Sequence, residues 1–260
     1  MDFDGTIADH DGHIPASGIE AIRTARRLGH RVFLSTGRSQ AEISPEVTGI
    51  GFDGAITAGG GFATVAGRLV HAQVMPASMC EQMVEAFVDL GLPYCLQYRD
   101  RVYAAPGLLE AFAGAGRGGP AGLLPHRLTE RLEMHGVAKA VFVGTHPGAS
   151  SAVACRLAEN FGVITGTLPD LGAGSGEVSS RWTHKAAAIP AVLAAVGIPL
   201  SQTIALGDSR NDVEMLRLCG TGIAMGGAPA LVMQAADDVT GTVGEDGLRT
   251  AFERHGLLQP

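Results

Sequence analysis

The chain is short of charge, of paired cysteines and of uninterrupted apolar runs, and each shortage removes a class of protein. Charged residues make up 17% against 46% hydrophobic, a balance that excludes a disordered chain and fits a globular one. Lys and Arg number 19 against 26 Asp and Glu, a formal net charge of -7, which argues against a general nucleic-acid binder. Anionic substrates stay open, because a few basic groups and a metal ion reverse the field locally. The four cysteines (Cys80, Cys95, Cys155, Cys219) are scattered with no CxxC pair, so neither a zinc cluster nor a disulfide framework is expected. Buried thiols in a reducing cytoplasm are the expectation. The most apolar stretch, residues 186–200, is broken by Pro190 and Pro199 and is too short to span a bilayer. The N-terminus is acidic and polar, unlike a signal peptide, and no internal repeat is visible.

What is present is an alternation. RVFL (31–34), GAI (54–56) and TIAL (203–206) are short apolar runs that end in small or polar residues. Helix-like stretches follow the first and third of them, the pattern of a doubly wound parallel α/β sheet, in which ligands lie beyond the C-terminal ends of the strands. The middle differs. PASMCEQMVEAFVDLG (76–91) reads as a helix, PYCLQYRD and RVYAA as two strands joined through Asp100 and Arg101. VAKAVFVG (137–144), SSAVACRLAENFG (150–162) and VITGTL (163–168) continue as strand, helix and strand. The expected division is a core of 1–76 and 178–260 with an inserted α+β domain over 77–177. GAGRGG (114–119) satisfies GxGxxG, yet a helix-like segment precedes it and Pro120 follows it, so it reads as a loop and not as a dinucleotide site.

Four clusters carry candidate chemistry, and each alone admits a plain structural reading. Asp2 and Asp4 in DFDGT point to one side of an extended segment, with Gly5 and Thr6 supplying the turn; an exposed Asx turn is the alternative. Thr36 in LSTGR falls just past a strand, where its hydroxyl and the backbone N–H groups beside Gly37 suit a phosphate oxygen, or simply cap a helix. GDSRND (207–212) sets Asp208 and Asp212 four apart with Asn211 between, which suits a Mg2+ site with few protein ligands; capping of VEMLRL by Asp208 or Ser209 is compatible with that. Lys185 in RWTHKAAAI lies near a helix start, where the dipole disfavours a cation, and is meaningful only in company.

The order of the four clusters resembles the haloacid dehalogenase-like superfamily, in its Cof-like phosphatases with an α/β cap between the second and third motifs. The stretch GIAMGGAPALVMQAADDVTGTVGEDGL (222–248) is similar to that subgroup as well, so the resemblance covers nearly the whole chain. It implies a Rossmann-like core and a cytoplasmic, Mg2+-dependent phosphatase of a small phosphorylated metabolite, a sugar phosphate or a phosphorylated cofactor. In it Asp2 would be the nucleophile that becomes an aspartyl-phosphate, and Asp4 the general acid and then base, its counterpart also offering a backbone carbonyl to the metal. Thr36, Gly37, Lys185 and Asn211 would hold the phosphate. Asp208 would ligate Mg2+ along with Asp2 and Asp4, and Asp212 would orient the ion's water or Lys185 from nearby. The inserted domain would close over the site and read the leaving group. A phosphosugar mutase or phosphotransferase, and a catalytically impaired binding protein of the same fold, are the competing readings. Neither a nucleic-acid nor a membrane partner is expected, and the oligomeric state is not legible.

Three departures from the family pattern carry expectations of their own. Only Met1 precedes Asp2, where the family has an apolar strand; the expectation is a start placed too late or, failing that, weak stability and impaired activity. Gly59 stands where the subgroup often has asparagine, which removes a polar contact. Pro190 is expected to delay the start of its helix to about residue 187, leaving Lys185 in the preceding turn. Among the remaining residues, Trp182 is expected in core or interdomain packing, His10 and His13 at the surface. Arg38 is read as either phosphate support or structural pairing, and Tyr98, Arg99 and Arg101 as cap residues on an unassigned face.

Overall fold

The computed structural model describes residues 1–114, 128–165 and 174–260, and the chain divides into two compact units. The first comprises Met1–Thr36, Pro45–His71 and His184–Pro260; the second comprises Gly37–Ser44 and Ala72–Thr183.

The first unit opens with α1 (Ala16–Arg27), whose buried Gly18, Ala21, Ile22 and Ala25 follow helical spacing. Arg26 and Arg27 lie in its last turn, where cations suit the helix dipole, and Gly29 turns the chain out at φ +96°. Strand β1 (Phe33–Ser35), helix α2 (Pro45–Ile50) and strands β2 (Gly54–Thr57), β3 (Phe62–Val65) and β4 (Arg68–Ala72) follow, with the strands side by side in that order. β1 and β2 are parallel; β2 and β3 are antiparallel. Asp53 ties α1 to this sheet, accepting from Arg26, Arg31 and the Val32 N–H.

The second unit is built on α3 (Ala77–Asp89), β5 (Tyr94–Gln97), β6 (Val102–Ala104), α4 (Leu108–Gly114), β7 (Leu128–Thr129), β8 (Lys139–Phe142), α5 (Ala149–Arg156), β9 (Phe161–Thr165) and β10 (Gly176–Ser180). Its sheet runs β7-β6-β5-β8-β10-β9, antiparallel except for the β6–β7 pair. One face carries Leu96, Ala140, Phe142 and Val178 into a core closed by Cys80, Met83 and Phe87 of α3 and by Val153 of α5. The expected strand pair around Asp100 and Arg101 is β5 and β6. Arg101 stacks on the Tyr98 ring at 4.3 Å and pairs with Glu133 at 2.6 Å, so these residues brace their own unit. Of GAGRGG, only Gly114 lies within the described residues.

The chain returns to the first unit through α6 (Lys185–Val196), β11 (Ile204–Gly207), α7 (Val213–Leu218), β12 (Thr221–Ala224), α8 (Ala230–Met233), β13 (Asp238–Val239) and α9 (Gly247–Arg254). β11, β12 and β13 are parallel neighbours. Between β1 and β11 sit Met1 and Asp2, extended and bonded to both sides. Met1 N donates to Phe33 O at 3.0 Å, Ser35 N to Met1 O at 2.7 Å, and Asp2 N to Leu206 O at 2.9 Å. Two residues thus occupy the slot of a central strand and join the two sheets of the unit.

Two expectations are corrected. Helix α6 begins at Lys185, not near 187, and Pro190 lies inside it. The proline forfeits one backbone hydrogen bond, but the first turn closes earlier, through Ala187 N to His184 O at 2.9 Å. Trp182 is not packed away: it is 66% exposed, with the Arg181 guanidinium over its ring. No helix among the described residues is long and apolar enough to cross a membrane.

Candidate active site

Asp2, Asp208 and the end of β1 at Thr36 all lie where strands of the first unit give out. Asp2 is 4% exposed and follows the Met1 bridge. The next residues turn sharply, with Ile7 N and Ala8 N both donating to Phe3 O at 2.9 Å. Gly5 has φ +85°, and a Cβ there would lie 2.2 Å from Asp208 Oδ2, so the close approach of the two acidic loops requires a glycine. Thr6 Oγ1 donates to Asp208 Oδ1 at 3.3 Å across the same gap. Gly5→Ala should therefore displace Asp208 while the fold persists, which a crystal structure of the variant would show directly.

Lys185 is brought in by a second glycine. Gly60, at φ +106°, lets the turn after β2 approach the start of α6 so closely that a Cβ would meet His184 O at 2.1 Å. The ammonium, buried with its residue 1% exposed, donates to Asp2 Oδ1 at 2.5 Å and to Asp212 Oδ1 at 2.6 Å. Asp212 is wholly buried, and its other oxygen accepts the N–H groups of Asp208 (3.2 Å) and Ser209 (3.0 Å). It thereby holds the acidic loop and the lysine in one arrangement.

The electrostatics follow from burial. Burial, then the neighbouring Asp212 and Asp208, lift the Asp2 carboxyl well above the usual carboxylate range although Lys185 opposes the shift. Asp208 is raised for the same reasons, burial first and Asp212 second. For Lys185, burial disfavours the ammonium, but Asp2 and Asp212 outweigh it and the net direction is upward. Carboxylate oxygens of Asp2, Asp208 and Asp212 lie within 4.8 Å of one another. Fully ionised, these three against one ammonium leave a formal charge of -2. A small divalent cation with hard oxygen ligands fits that donor set, and magnesium suits it because it needs few protein carboxylates. Asp212 already has both oxygens engaged, which leaves Asp2 and Asp208 as the carboxylates best disposed toward an ion.

The other expected residues stand as follows. Asp4 is exposed, with its backbone bridged to Ala8. Thr36 is 1% exposed; its N–H donates to Ile56 O at 2.9 Å, and its carbonyl accepts from Gly59 N at 3.0 Å. Gly59 sits at φ +64°, a conformation that asparagine also tolerates. Gly37 belongs to the second unit. Asn211 Oδ1 accepts from Ser209 Oγ at 2.7 Å, within the loop that carries Asp208 and Asp212. The tie from Thr6 to Asp208 and the wedge at Gly60 escaped sequence reading. No local pattern marks them, whereas the S-x-x-D spacing of Ser209 and Asp212 was a legible signal.

Comparison with known proteins follows the same lines. The profile of the haloacid dehalogenase-like hydrolases matches residues 1–252. YkrA of Bacillus subtilis (strain 168), whose name gives it provisionally as a phosphatase, is 27% identical over 266 residues, spanning 100% of this chain and 97% of its own. The HMP-PP phosphatase of Cronobacter sakazakii (strain ATCC BAA-894) is 27% identical over 88% of this chain and 83% of its own. Among solved structures, a haloacid dehalogenase-like hydrolase from B. subtilis superimposes with a TM-score of 0.79 at 23% identity, covering 97% of each chain. With an acidic cluster and its lysine set on this α/β core, and a family profile spanning nearly its whole length, the chain belongs to the haloacid dehalogenase-like hydrolases.

Proposed function

We propose that this hydrolase is a Mg2+-dependent phosphatase of a small phosphorylated metabolite. The observation that carries the reading is the buried contact of Lys185 with Asp2 and Asp212 beside Asp208. An ammonium held between two carboxylates, next to a third that keeps oxygen capacity, suits the transfer of a dianionic group. That chemistry depends mainly on positioning and electrostatics. The relatives named as phosphatases, the HMP-PP phosphatase among them, support the substrate class.

In this reading Asp2 attacks phosphorus, the bond from phosphorus to the alcohol oxygen breaks, and Asp4 gives its proton to the leaving oxygen. Asp4, then a carboxylate, takes a proton from water as that water attacks the aspartyl-phosphate, and inorganic phosphate leaves with Asp2 restored. Lys185 and the Thr36 hydroxyl hold phosphoryl oxygens, and Asn211 adds a contact from the acidic loop. Asp2 and Asp208 would hold Mg2+, with Asp212 behind them; when bound, the ion supplies the positive charge that lets a dianion approach three carboxylates.

Phosphate release from a panel of sugar phosphates and phosphorylated cofactors tests this, with metal stripped by chelator and Mg2+ then restored. Turnover should vanish on stripping and return with Mg2+, and Asp208→Asn should need at least about tenfold more Mg2+ for half-maximal activity. Turnover that is indifferent to chelation would refute the metal assignment. A phosphorylated isomer in place of free phosphate would favour a mutase.

A further inference from the structure

One turn of the first unit bears on the backbone of both Thr36 and Lys185, and every residue in this contact lies within that unit. Residues 58–61 join β2 to β3, with Thr57 paired to Phe62 across them. Three of the four have positive φ in succession: Ala58 at +50°, Gly59 at +64° and Gly60 at +106°. On one side the turn meets the end of β1. Thr36 N donates to Ile56 O at 2.9 Å and Gly59 N donates to Thr36 O at 3.0 Å, so the peptide groups on both sides of Thr36 are held by the stretch 56–59. On the other side it meets the start of α6, where a Cβ on Gly60 would stand 2.1 Å from His184 O and 3.0 Å from Lys185 N.

Ala58 is the residue that does not fit the turn. A residue with a Cβ is uncommon at positive φ, because that atom crowds the neighbouring carbonyl oxygen. Glycine at 58, as at 59 and 60, would close the same hairpin without that penalty. The methyl, wholly buried, therefore costs the fold something, and its effect lies elsewhere. It narrows the choice of backbone angles. Glycine populates either sign of φ, whereas alanine at positive φ has one small well. Because the peptide from Ala58 to Gly59 is planar, fixing the Ala58 torsions fixes the direction of the Gly59 N–H that holds the Thr36 carbonyl. Such strain persists where the surroundings over-determine it, and here the β1 bonds and the start of α6 do so from two sides.

We infer that Ala58 is a positioning residue: its methyl stiffens the turn that sets the backbone at Thr36 and Lys185, the two residues that hold phosphoryl oxygens. This rests on the phosphatase reading above. Removing the methyl relieves the fold and loosens phosphate binding, so stability and affinity move in opposite directions.

The test uses the full chain and Ala58→Gly, with p-nitrophenyl phosphate and Mg2+, inhibition by inorganic phosphate, thermal melting, and amide hydrogen exchange at Gly59. The Tm of the variant should hold or rise, because a residue at positive φ loses its Cβ. Its Gly59 amide should exchange faster than in wild type, since the bond to Thr36 opens more often. KM and the phosphate inhibition constant should both rise about fivefold, with kcat within about twofold of wild type. A purely structural methyl would move Tm downward and leave that split between KM and kcat absent. Unchanged constants, unaccelerated exchange at Gly59, or a fall in Tm alongside the weaker binding would each overturn the positioning role alone. An inactive wild type, or Asp2→Asn turning over like wild type, would instead overturn the phosphatase reading and this inference with it.

Discussion

Asp2→Asn should remove essentially all phosphatase activity, a fall of at least about 10^4-fold in kcat, with the protein folded and its melting curve close to wild type. The substitution keeps the shape of the side chain and its contact with Lys185, whose ammonium still finds an amide oxygen at the 2.5 Å position and Asp212 at 2.6 Å. What it removes is the oxygen that bonds to phosphorus, and no neighbouring group can replace it: Asp212 is wholly buried with both oxygens engaged, and Asp208 sits in a different loop. Because one of the three carboxylate charges disappears, stability should hold or rise slightly, which separates loss of chemistry from loss of fold. Rapid quench with labelled substrate gives the direct measurement, since wild type should trap phosphate on the chain and the variant should not. Undiminished turnover would eliminate Asp2 as nucleophile.

Lys185→Met should be the most destabilising single change in the site. It leaves Asp2 and Asp212 without the ammonium that contacts both, in a region where neither is more than 4% exposed. Breaking a buried pair from one side costs about 3–5 kcal/mol, because the remaining charge stays desolvated. At this chain length that corresponds to a drop in Tm on the order of 10 °C. The pH dependence has a definite sign. The Asp2 carboxyl in the folded protein already lies above its ordinary value of 3.8, chiefly through burial, and losing Lys185 raises it further. A carboxyl with a raised folded pKa favours folding when protonated, and that contribution is lost as pH rises from the unfolded value through the folded one. The deficit of Lys185→Met relative to wild type should therefore be largest at neutral pH and shrink as pH falls through the raised folded value toward the ordinary carboxylate value of 3.8. Added Mg2+ should recover part of it. Melting curves at several pH values, with and without the ion, check all three statements. A deficit independent of pH would mean that the lysine acts through packing and not through charge.

Much of the architecture was legible from local pattern. The apolar runs before Thr36 and Asp208 place β1 and β11 with no knowledge of their neighbours. The helix start at Lys185 was misjudged, because a proline five residues in was given more weight than the contacts available to the first turn. Trp182 was expected to be packed because tryptophan has much apolar area, yet its neighbour Arg181 covers the ring while it remains mostly exposed. Both misreadings weigh a residue's average behaviour above its surroundings.

By itself the sequence determined the chemical inventory: which carboxylates, which lysine, and the order of strand-ending loops that carry them. Local spacing placed those loops at strand ends, because strand and helix periods act over a few residues, while the family resemblance singled out the carboxylates and the lysine as a set. Only the tertiary structure decided that Lys185 reaches across 183 positions to Asp2, that Gly5 and Gly60 are glycines because backbones meet there, and that the turn Ala58–Gly60 bears on the backbone at both Thr36 and Lys185. Those contacts are set by how sheets stack and loops converge, and no periodicity along the chain encodes a distance between residues so far apart.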